Sequence, residues 1–154
     1  MKPVKHLVRI FSLLILLGMS TSLLFAKTQV VKLISEYHVN PIGIDVQKPR
    51  LSWQILSDGQ NVMQTAYEIK VTDQSPKGKQ IWNSGKVESD QSVNVAYSGP
   101  ALKSMQRVYW QVRVWDNSKN VSAWSQPAFW EMGILEPETW KASWINIGAE
   151  TNEG

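Results

Sequence analysis

Apolar and polar residues alternate with a period of two in several short runs of the chain, and turn residues separate the runs. In one run, Leu51, Trp53 and Ile55 alternate with polar neighbours. In the longest run, every second residue from Val108 to Val114 is a valine or a tryptophan. This alternation predicts strands that each bury one face, and no run keeps a helical period. The pattern therefore indicates an all-β fold of the sandwich type.

The alternating runs predict seven strands. In chain order they occupy residues 31–39, 49–56, 65–72, 80–85, 92–97, 108–115 and 128–133. We expect Val31, Leu33, Tyr37 and Val39 to lie on the alternating apolar face of the first strand. Val93, Val95 and Tyr97 are expected to face inward from the fifth. Residues 28–133 are thus predicted to form one sandwich domain.

The residues after this domain differ from it in composition. Residues 134–154 begin as an acidic linker that Pro137 interrupts, and a new apolar strand then follows. We interpret this stretch as a linker and the first strand of a truncated second β domain. Trp140 and Trp144 lie in it and are expected to fill the interface between the two domains.

The first 26 residues resemble a secretory signal peptide. Lys2, Lys5 and Arg9 precede a short apolar run, and small residues follow up to Ala26. The apolar run is shorter than the roughly 20 residues that a membrane-spanning helix needs. We therefore predict a signal peptide helix at residues 1–26 that is removed on export, giving a periplasmic or extracellular product without a membrane anchor.

Removal of this segment changes the charge balance. The whole chain holds 16 basic and 13 acidic residues, and the segment takes three of the basic ones, which leaves no net charge. The remaining basic residues are scattered, so a nucleic-acid partner is not expected. There is no cysteine, and the domain must therefore be stabilised by its core alone.

Catalytic chemistry is not evident in the sequence. The two histidines, His6 and His38, cannot form a metal cluster or a catalytic triad. The aspartates occur in turn contexts, where Asp usually closes a loop through its own backbone. We predict no catalytic residue, no cofactor and no metal site.

Five stretches, in this order and spacing, carry a family resemblance. They are Asn40-Pro-Ile-Gly-Ile-Asp45, Lys48-Pro-Arg-Leu-Ser-Trp53, Gln64-Thr-Ala-Tyr-Glu-Ile-Lys-Val71, Trp82-Asn-Ser-Gly-Lys-Val87, and Tyr109-Trp-Gln-Val-Arg-Val-Trp-Asp116 with Trp130-Glu-Met-Gly133. Together they resemble the N-terminal region of secreted bacterial α-L-rhamnosidases, which remove terminal rhamnose from glycans.

The resemblance implies a fibronectin type III/immunoglobulin-like β-sandwich that precedes the catalytic barrel. Because the family's catalytic carboxylates belong to that barrel, none can be assigned to this chain, and we expect it to be inactive alone. Its expected partners are the remaining domains of the parent glycosidase, or a separately encoded catalytic chain, together with rhamnose-containing glycans. The alternative is a stand-alone carbohydrate-binding or protein-binding sandwich module.

Aromatic residues are the expected core. Trp53, Trp110 and Tyr67 lie on the apolar faces of their strands, and Trp110 is expected to pack against Trp53. Trp82 and Trp130 are expected to be partly buried. Fibronectin-type domains place a tyrosine six residues after a leucine, where its hydroxyl ties the sandwich corner. Six residues after Leu102 comes Val108, so this bond forms only if a bulge turns Tyr109 inward.

Val121-Ser-Ala-Trp-Ser125 resembles the Trp-Ser-x-Trp-Ser box of cytokine-receptor modules, in which arginines stack on aromatic rings. By this resemblance Arg113, with Arg107 as a weaker candidate, is expected to stack on Trp124. The alternative is that exposed Trp115 and Trp124 form a platform for a sugar ring.

Overall fold

The computed structural model describes residues 28–136, 138 and 141, and these residues form two antiparallel sheets packed face to face. The strands are β1 (Gln29–Ser35), β2 (Arg50–Leu56), β3 (Gln64–Asp73), β4 (Gln80–Asn83), β5 (Val95–Ala96), β6 (Arg107–Asp116) and β7 (Ala128–Glu131). One sheet has the order β1-β2-β5 and the other the order β4-β3-β6-β7. The predicted all-β sandwich of the immunoglobulin type is confirmed. No helix among these residues is long and apolar enough to cross a membrane.

Strand β6 shows how the alternation builds the core. Val108, Trp110, Val112 and Val114 are all at most 1% exposed, whereas the residues between them are partly exposed. Successive side chains of a strand point to opposite faces of its sheet, so this strand buries one face completely. The neighbouring strand β3 is buried on both faces, because other side chains cover its outer face.

The first strand is shorter than predicted and its inward residues differ. A β-bulge between Val31 and Ile34 shifts its register against β2, and Lys32 lies in the left-handed region with a φ of 51°. One extra residue reverses which side chains face the core. The prediction for Val31 is therefore wrong, since Val30 is the residue buried at 6% exposure. The strand ends at Ser35, and Tyr37 and Val39 beyond it are exposed.

The fifth strand is also shorter than predicted, and Val93 does not face inward. Val93 is 58% exposed, whereas Val95 is buried. Asn94, between them, has a φ of 56°, which breaks the regular alternation. Its N–H donates to the hydroxyl of Ser52 at 2.9 Å, which holds this irregular segment beside β2.

Edge-to-face aromatic contacts organise the core in two groups. Trp53 of β2 contacts Tyr67 of β3 across the sandwich, with ring centroids 5.2 Å apart. Trp110 contacts Trp130 at 6.5 Å within its own sheet. Trp110 and Trp53 both belong to the buried core, and their direct packing stays a prediction. Tyr97 then joins Trp130 at 5.4 Å. Trp130 is completely buried, which corrects the expectation of partial burial.

A tyrosine hydroxyl bonds to the backbone at one end of the sandwich, but the residue is Tyr97 and not Tyr109, the tyrosine that the sequence suggested. The hydroxyl of Tyr97 donates to the carbonyl of Pro100 at 3.0 Å. Burial raises the pKa of Tyr97 to about 12, so the hydroxyl stays protonated at neutral pH. A Cβ at Gly99 would lie 2.3 Å from this hydroxyl, which leaves glycine as the residue that fits the turn. Tyr109 instead contacts Phe129, with ring centroids 5.7 Å apart.

A buried glutamine connects the two sheets. The indole N–H of Trp53 donates to the Gln64 side-chain oxygen at 3.0 Å. The amide nitrogen of Gln64 donates to the carbonyls of Ser89 and Gln91, at 3.1 and 2.9 Å. Gln64 is 7% exposed and Trp53 is 2% exposed, so the buried indole N–H depends on Gln64 for its hydrogen bond.

We expect the substitution Gln64→Leu to lower the free energy of unfolding by about 2–4 kcal/mol, because a buried polar group without a partner costs about 1–3 kcal/mol. Urea denaturation of the purified chain measures the change. Gln60→Leu is the matched control on an exposed loop residue and should change stability by less than about 0.5 kcal/mol. Equal effects of the two substitutions would contradict the connecting role of Gln64.

Candidate functional site: a ladder of cations and tryptophans

The outer face of the four-stranded sheet carries the residues that the sequence singled out for recognition. Arg113 and Trp115 project from β6, and Glu68 lies opposite Arg113 on β3 in the antiparallel register. The same register places Lys70 opposite Gln111. Side chains from two adjacent strands therefore meet on one surface, where cross-strand neighbours are close enough to interact.

Trp124 reaches this surface from the segment that follows β6. The N–H groups of Ser122 and Ser125 donate to the carbonyls of Val114 and Val112, at 2.9 and 2.8 Å. In return, the N–H groups of Val114 and Val112 donate to the Ser122 and Ser125 hydroxyls, at 3.0 and 3.1 Å. The two serines thus supply hydroxyl acceptors where a paired strand would supply carbonyls, and they hold Trp124 beside β6.

Three cations lie over the two indole rings, and we call this group the cation–tryptophan ladder. Its five members are Lys86, Trp115, Arg113, Trp124 and Lys70. Nζ of Lys86 is 5.1 Å from the centroid of the Trp115 ring, and Cζ of Arg113 is 5.2 Å from it. Arg113 Cζ is also 4.8 Å from the Trp124 centroid, and Lys70 Nζ is 4.4 Å from the same ring. All four distances are within the range of a cation-π interaction.

Glu68 holds the central cation in place. Its Oε2 accepts a hydrogen bond from Nε of Arg113 at 2.7 Å and forms an ion pair with Nη2 of Arg113 at 2.6 Å. Oε1 of Glu68 accepts from the side-chain amide of Asn83 on β4, at 2.9 Å. Two hydrogen bonds and an ion pair hold this carboxylate, so Arg113 is fixed between the two rings by both charge and geometry.

The structure therefore brings Arg113 and Trp124 together but places Arg107 elsewhere. Cζ of Arg107 lies 4.5 Å from the Phe129 ring centroid, and its Nε donates to Glu131 at 2.8 Å. The sequence reasoning did not identify Lys70 or Lys86. Lys70 becomes a neighbour of Trp124 only through the pairing of β3 with β6, and Lys86 comes from the connection between β4 and β5. The period-two pattern within one strand records neither the strand pairing that places Lys70 nor the connection that places Lys86.

The ladder leaves little of either ring for a ligand. A sugar platform needs an indole face that is free to contact the C–H groups of a pyranose. Two cationic groups lie over each of Trp115 and Trp124, and both side chains are half-buried. The geometry favours a structural role for both rings, in which the ladder covers the outer face of β3 and β6.

Two carboxylates elsewhere in the described residues have partners within the fold. The Asp116 carboxylate accepts hydrogen bonds from the backbone N–H groups of Ser118 and Asn120, both at 2.9 Å. The side-chain hydrogen bond from Arg50 lowers the pKa of Glu36, opposite to the raised pKa that a general acid requires. Among residues 28–136 no group of three or more His, Cys, Asp or Glu side chains could hold a metal ion. Trp140, Trp144 and the predicted signal peptide at residues 1–26 lie outside the described residues.

Comparison with known proteins gives a consistent relationship. Residues 30–136 match the family described as the Rha78A-like, N-terminal immunoglobulin domain. An α-L-rhamnosidase of Streptomyces avermitilis is 42% identical over 120 residues, which cover 77% of this chain and 12% of that protein. An α-L-rhamnosidase of Formosa agariphila is 41% identical over 117 residues, which cover 73% of this chain and 12% of that protein.

Two solved structures share the fold. The crystal structure of the Streptomyces avermitilis α-L-rhamnosidase complexed with L-rhamnose matches with a TM-score of 0.72 and 40% identity, over 77% of this chain and 12% of that one. The α-L-rhamnosidase from Dictyoglumus thermophilum matches with a TM-score of 0.70 and 33% identity, over 77% of this chain and 14% of that one. The chain thus spans only 12% of the length of the first curated relatives.

We expect the substitution Arg113→Met to lower the free energy of unfolding by about 2–4 kcal/mol. It removes one cation from both rings and leaves the largely buried carboxylate of Glu68 without its charged partner. The matched control is Arg107→Met, whose more exposed ion pair with Glu131 should contribute less to stability than that of Arg113. Urea denaturation followed by tryptophan fluorescence compares the two variants. A loss for Arg113→Met no greater than for the control would contradict the structural role of the ladder.

Proposed function

The chain belongs to the Rha78A-like N-terminal immunoglobulin domain family, and from this premise we propose that it serves as the non-catalytic N-terminal accessory module of an α-L-rhamnosidase-like glycoside hydrolase. The observation that carries the proposal is the match over residues 30–136, which corresponds to only 12% of the length of rhamnosidases that are about 40% identical to it. A segment of this size accounts for one domain of a much larger enzyme.

The chemistry of the described residues supports a module without catalytic activity. Glycoside hydrolysis needs two carboxyl groups across a sugar-sized cleft, one of them with a raised pKa. The well-placed carboxylates here are instead used within the fold. Glu68 binds Arg113, Glu36 binds Arg50, and Asp116 closes a turn.

The role of the module is to support the catalytic part of the enzyme. Its partners are the remaining domains of the rhamnosidase, and a glycan that carries terminal α-L-rhamnose is the substrate of those domains. The module itself contributes a stable β-sandwich without a disulfide bond, in which buried rings and the cation–tryptophan ladder stabilise opposite faces of the four-stranded sheet.

The purified 154-residue chain is expected to release no product from an aryl α-L-rhamnoside and to show no saturable heat of binding with L-rhamnose. The physical reason is that the carboxylates of Glu68 and Glu36 are bound to arginines and that cations lie over Trp115 and Trp124. The Streptomyces avermitilis α-L-rhamnosidase serves as the positive control in both assays.

Hydrolysis that increases in proportion to the purified chain would overturn the accessory role. Saturable rhamnose binding that is lost in a folded Trp115→Ala variant, but kept in Trp82→Ala, would favour the carbohydrate-binding module instead.

Export is part of the same proposal. The basic start and short apolar run of residues 1–26 are typical of a signal peptide, and a rhamnosidase that acts on external glycans needs to leave the cytoplasm. Expression of the whole chain in a bacterial host should give a periplasmic or secreted product whose first residue lies near Lys27. N-terminal sequencing of the purified product tests this, and an intact Met1 on the exported protein would contradict cleavage.

A further inference from the structure

An apolar groove lies at the end of the sandwich from which the chain leaves the domain. The groove is shallow and largely open to solvent, and its volume is about 870 Å³. Three connections form its walls, namely the loop between β1 and β2, the loop before β6, and the segment after β7. The lining residues are Ile42, Gly43, Met105, Met132, Gly133 and Ile134, together with Glu131.

Three apolar side chains of this groove are exposed to solvent, whereas Met132 at its base is buried. Ile42 is 67% exposed, Met105 is 69% exposed and Ile134 is 41% exposed. Exposed apolar residues that occur singly are normal, but residues from three separate loops that line one concave surface are typical of an interaction site. The groove thus differs from the cation–tryptophan ladder, whose aromatic rings already have partners within the domain.

The backbone holds these loops in place. The N–H of Met105 donates to the carbonyl of Gly133 at 3.0 Å, and the N–H of Gly133 donates to the carbonyl of Ile44 at 2.7 Å. A Cβ at Gly133 would lie 3.1 Å from the carbonyl oxygen of Gly43, which shows how closely the loops approach. The groove is therefore formed by hydrogen-bonded loops before any partner binds.

Met105 is held in this position at a conformational cost. Its φ is 58°, in the left-handed region of the backbone that residues other than glycine, asparagine and aspartate rarely adopt. Such a cost is tolerated where the surrounding structure requires it, and residues of this kind often occur at binding surfaces. Here the result is a long, flexible apolar side chain presented to solvent at the edge of the groove.

The point at which the chain leaves the sandwich indicates which partner binds in the groove. After Ile134, the N–H of Leu135 donates to the hydroxyl of Ser104 at 2.8 Å, and that hydroxyl also bonds to the carboxylate of Glu136. Leu135 packs against the core. These contacts fix the end of the domain to the loop before β6, at one wall of the groove. A domain that follows in the polypeptide therefore begins next to that wall.

We propose that this groove is the docking surface for the domain that follows in the α-L-rhamnosidase polypeptide, with Ile42 and Met105 as its main contacts. The inference rests on the proposed function, since the matched relatives continue well beyond the region that this chain covers. The partner surface presents aliphatic or aromatic side chains, because the groove is lined mainly by apolar residues. Docking at the exit fixes the orientation of the module on the enzyme.

Methionine oxidation tests the proposal with an internal control. Met105 and Met63 are 69% and 63% exposed, so dilute hydrogen peroxide should oxidise both at similar rates in the 154-residue chain. A chimera carries residues 28–136 in place of the matching segment of the Streptomyces avermitilis α-L-rhamnosidase, and hydrolysis of an aryl rhamnoside verifies that it is folded. In the chimera we expect Met105 to be protected at least about fivefold, whereas Met63 remains reactive. Mass spectrometry of the peptides gives both rates.

Substitutions in the chimera provide a second measurement. The pair Ile42→Lys with Met105→Lys should lower the unfolding temperature of the module by about 5 °C or more relative to the unaltered chimera. The pair Leu56→Lys with Val93→Lys, at 60% and 58% exposure on another part of the surface, should not. In the isolated 154-residue chain, both pairs should have similarly small effects.

The outcomes separate this inference from the proposed function. Equal oxidation of Met105 and Met63 in the active chimera, or equal effects of the two lysine pairs, would overturn the docking surface and leave the accessory role intact. Protection of Met105 in the isolated chain that increases with protein concentration would show that a second copy occupies the groove, and would also overturn it. Rhamnoside hydrolysis by the isolated chain would contradict the accessory role itself.

Discussion

The antiparallel pairing of β3 with β6 is the interaction on which the rest of the domain depends. It runs from Gln64 opposite Asp116 to Asp73 opposite Val108, and it fixes which side chains meet on each face of the sheet. On the inner face, Tyr67 and the alternate residues of β6 join the core. On the outer face, the same register brings Glu68 to Arg113, so the ion pair and the stacked rings form there. A shift by one residue would send the core residues outward and disperse the ladder.

This arrangement explains how a domain without cysteine is held together. Many small exported domains link their sheets with a disulfide, whereas here the sheets are linked by Trp53 stacked on Tyr67 and by the buried side chain of Gln64. The outer ladder adds a second set of contacts that covers β3, a strand buried on both faces. Aromatic residues therefore stabilise both sides of one sheet, and their abundance does not require a ligand.

The same distribution bears on function. Sugar binding uses aromatic rings, and glycoside hydrolysis uses carboxylates. In the described residues, the rings of the core and of the cation–tryptophan ladder, and the carboxylates that bind arginines, already have partners within the domain. Three of the exposed apolar side chains, those of Ile42, Met105 and Ile134, meet on one surface where the chain leaves the sandwich. A domain with this division of its surface is suited to be carried by a larger enzyme and to contact it at the exit.

The sequence by itself determined the all-β class, the inward face of β6, the burial of Trp53, Trp110 and Tyr67, and the family. Local alternation and short motifs record these features, because each depends on neighbours in the chain. Only the tertiary structure decided that a bulge at Lys32 turns Val30 inward, that Asn94 leaves Val93 in solvent, and that Trp53 contacts Tyr67. It also decided that Lys70 and Lys86 complete the ladder and that three distant loops form one groove. These features arise from strand register and from left-handed residues, which join positions far apart in the chain and leave no periodic signal within any one segment.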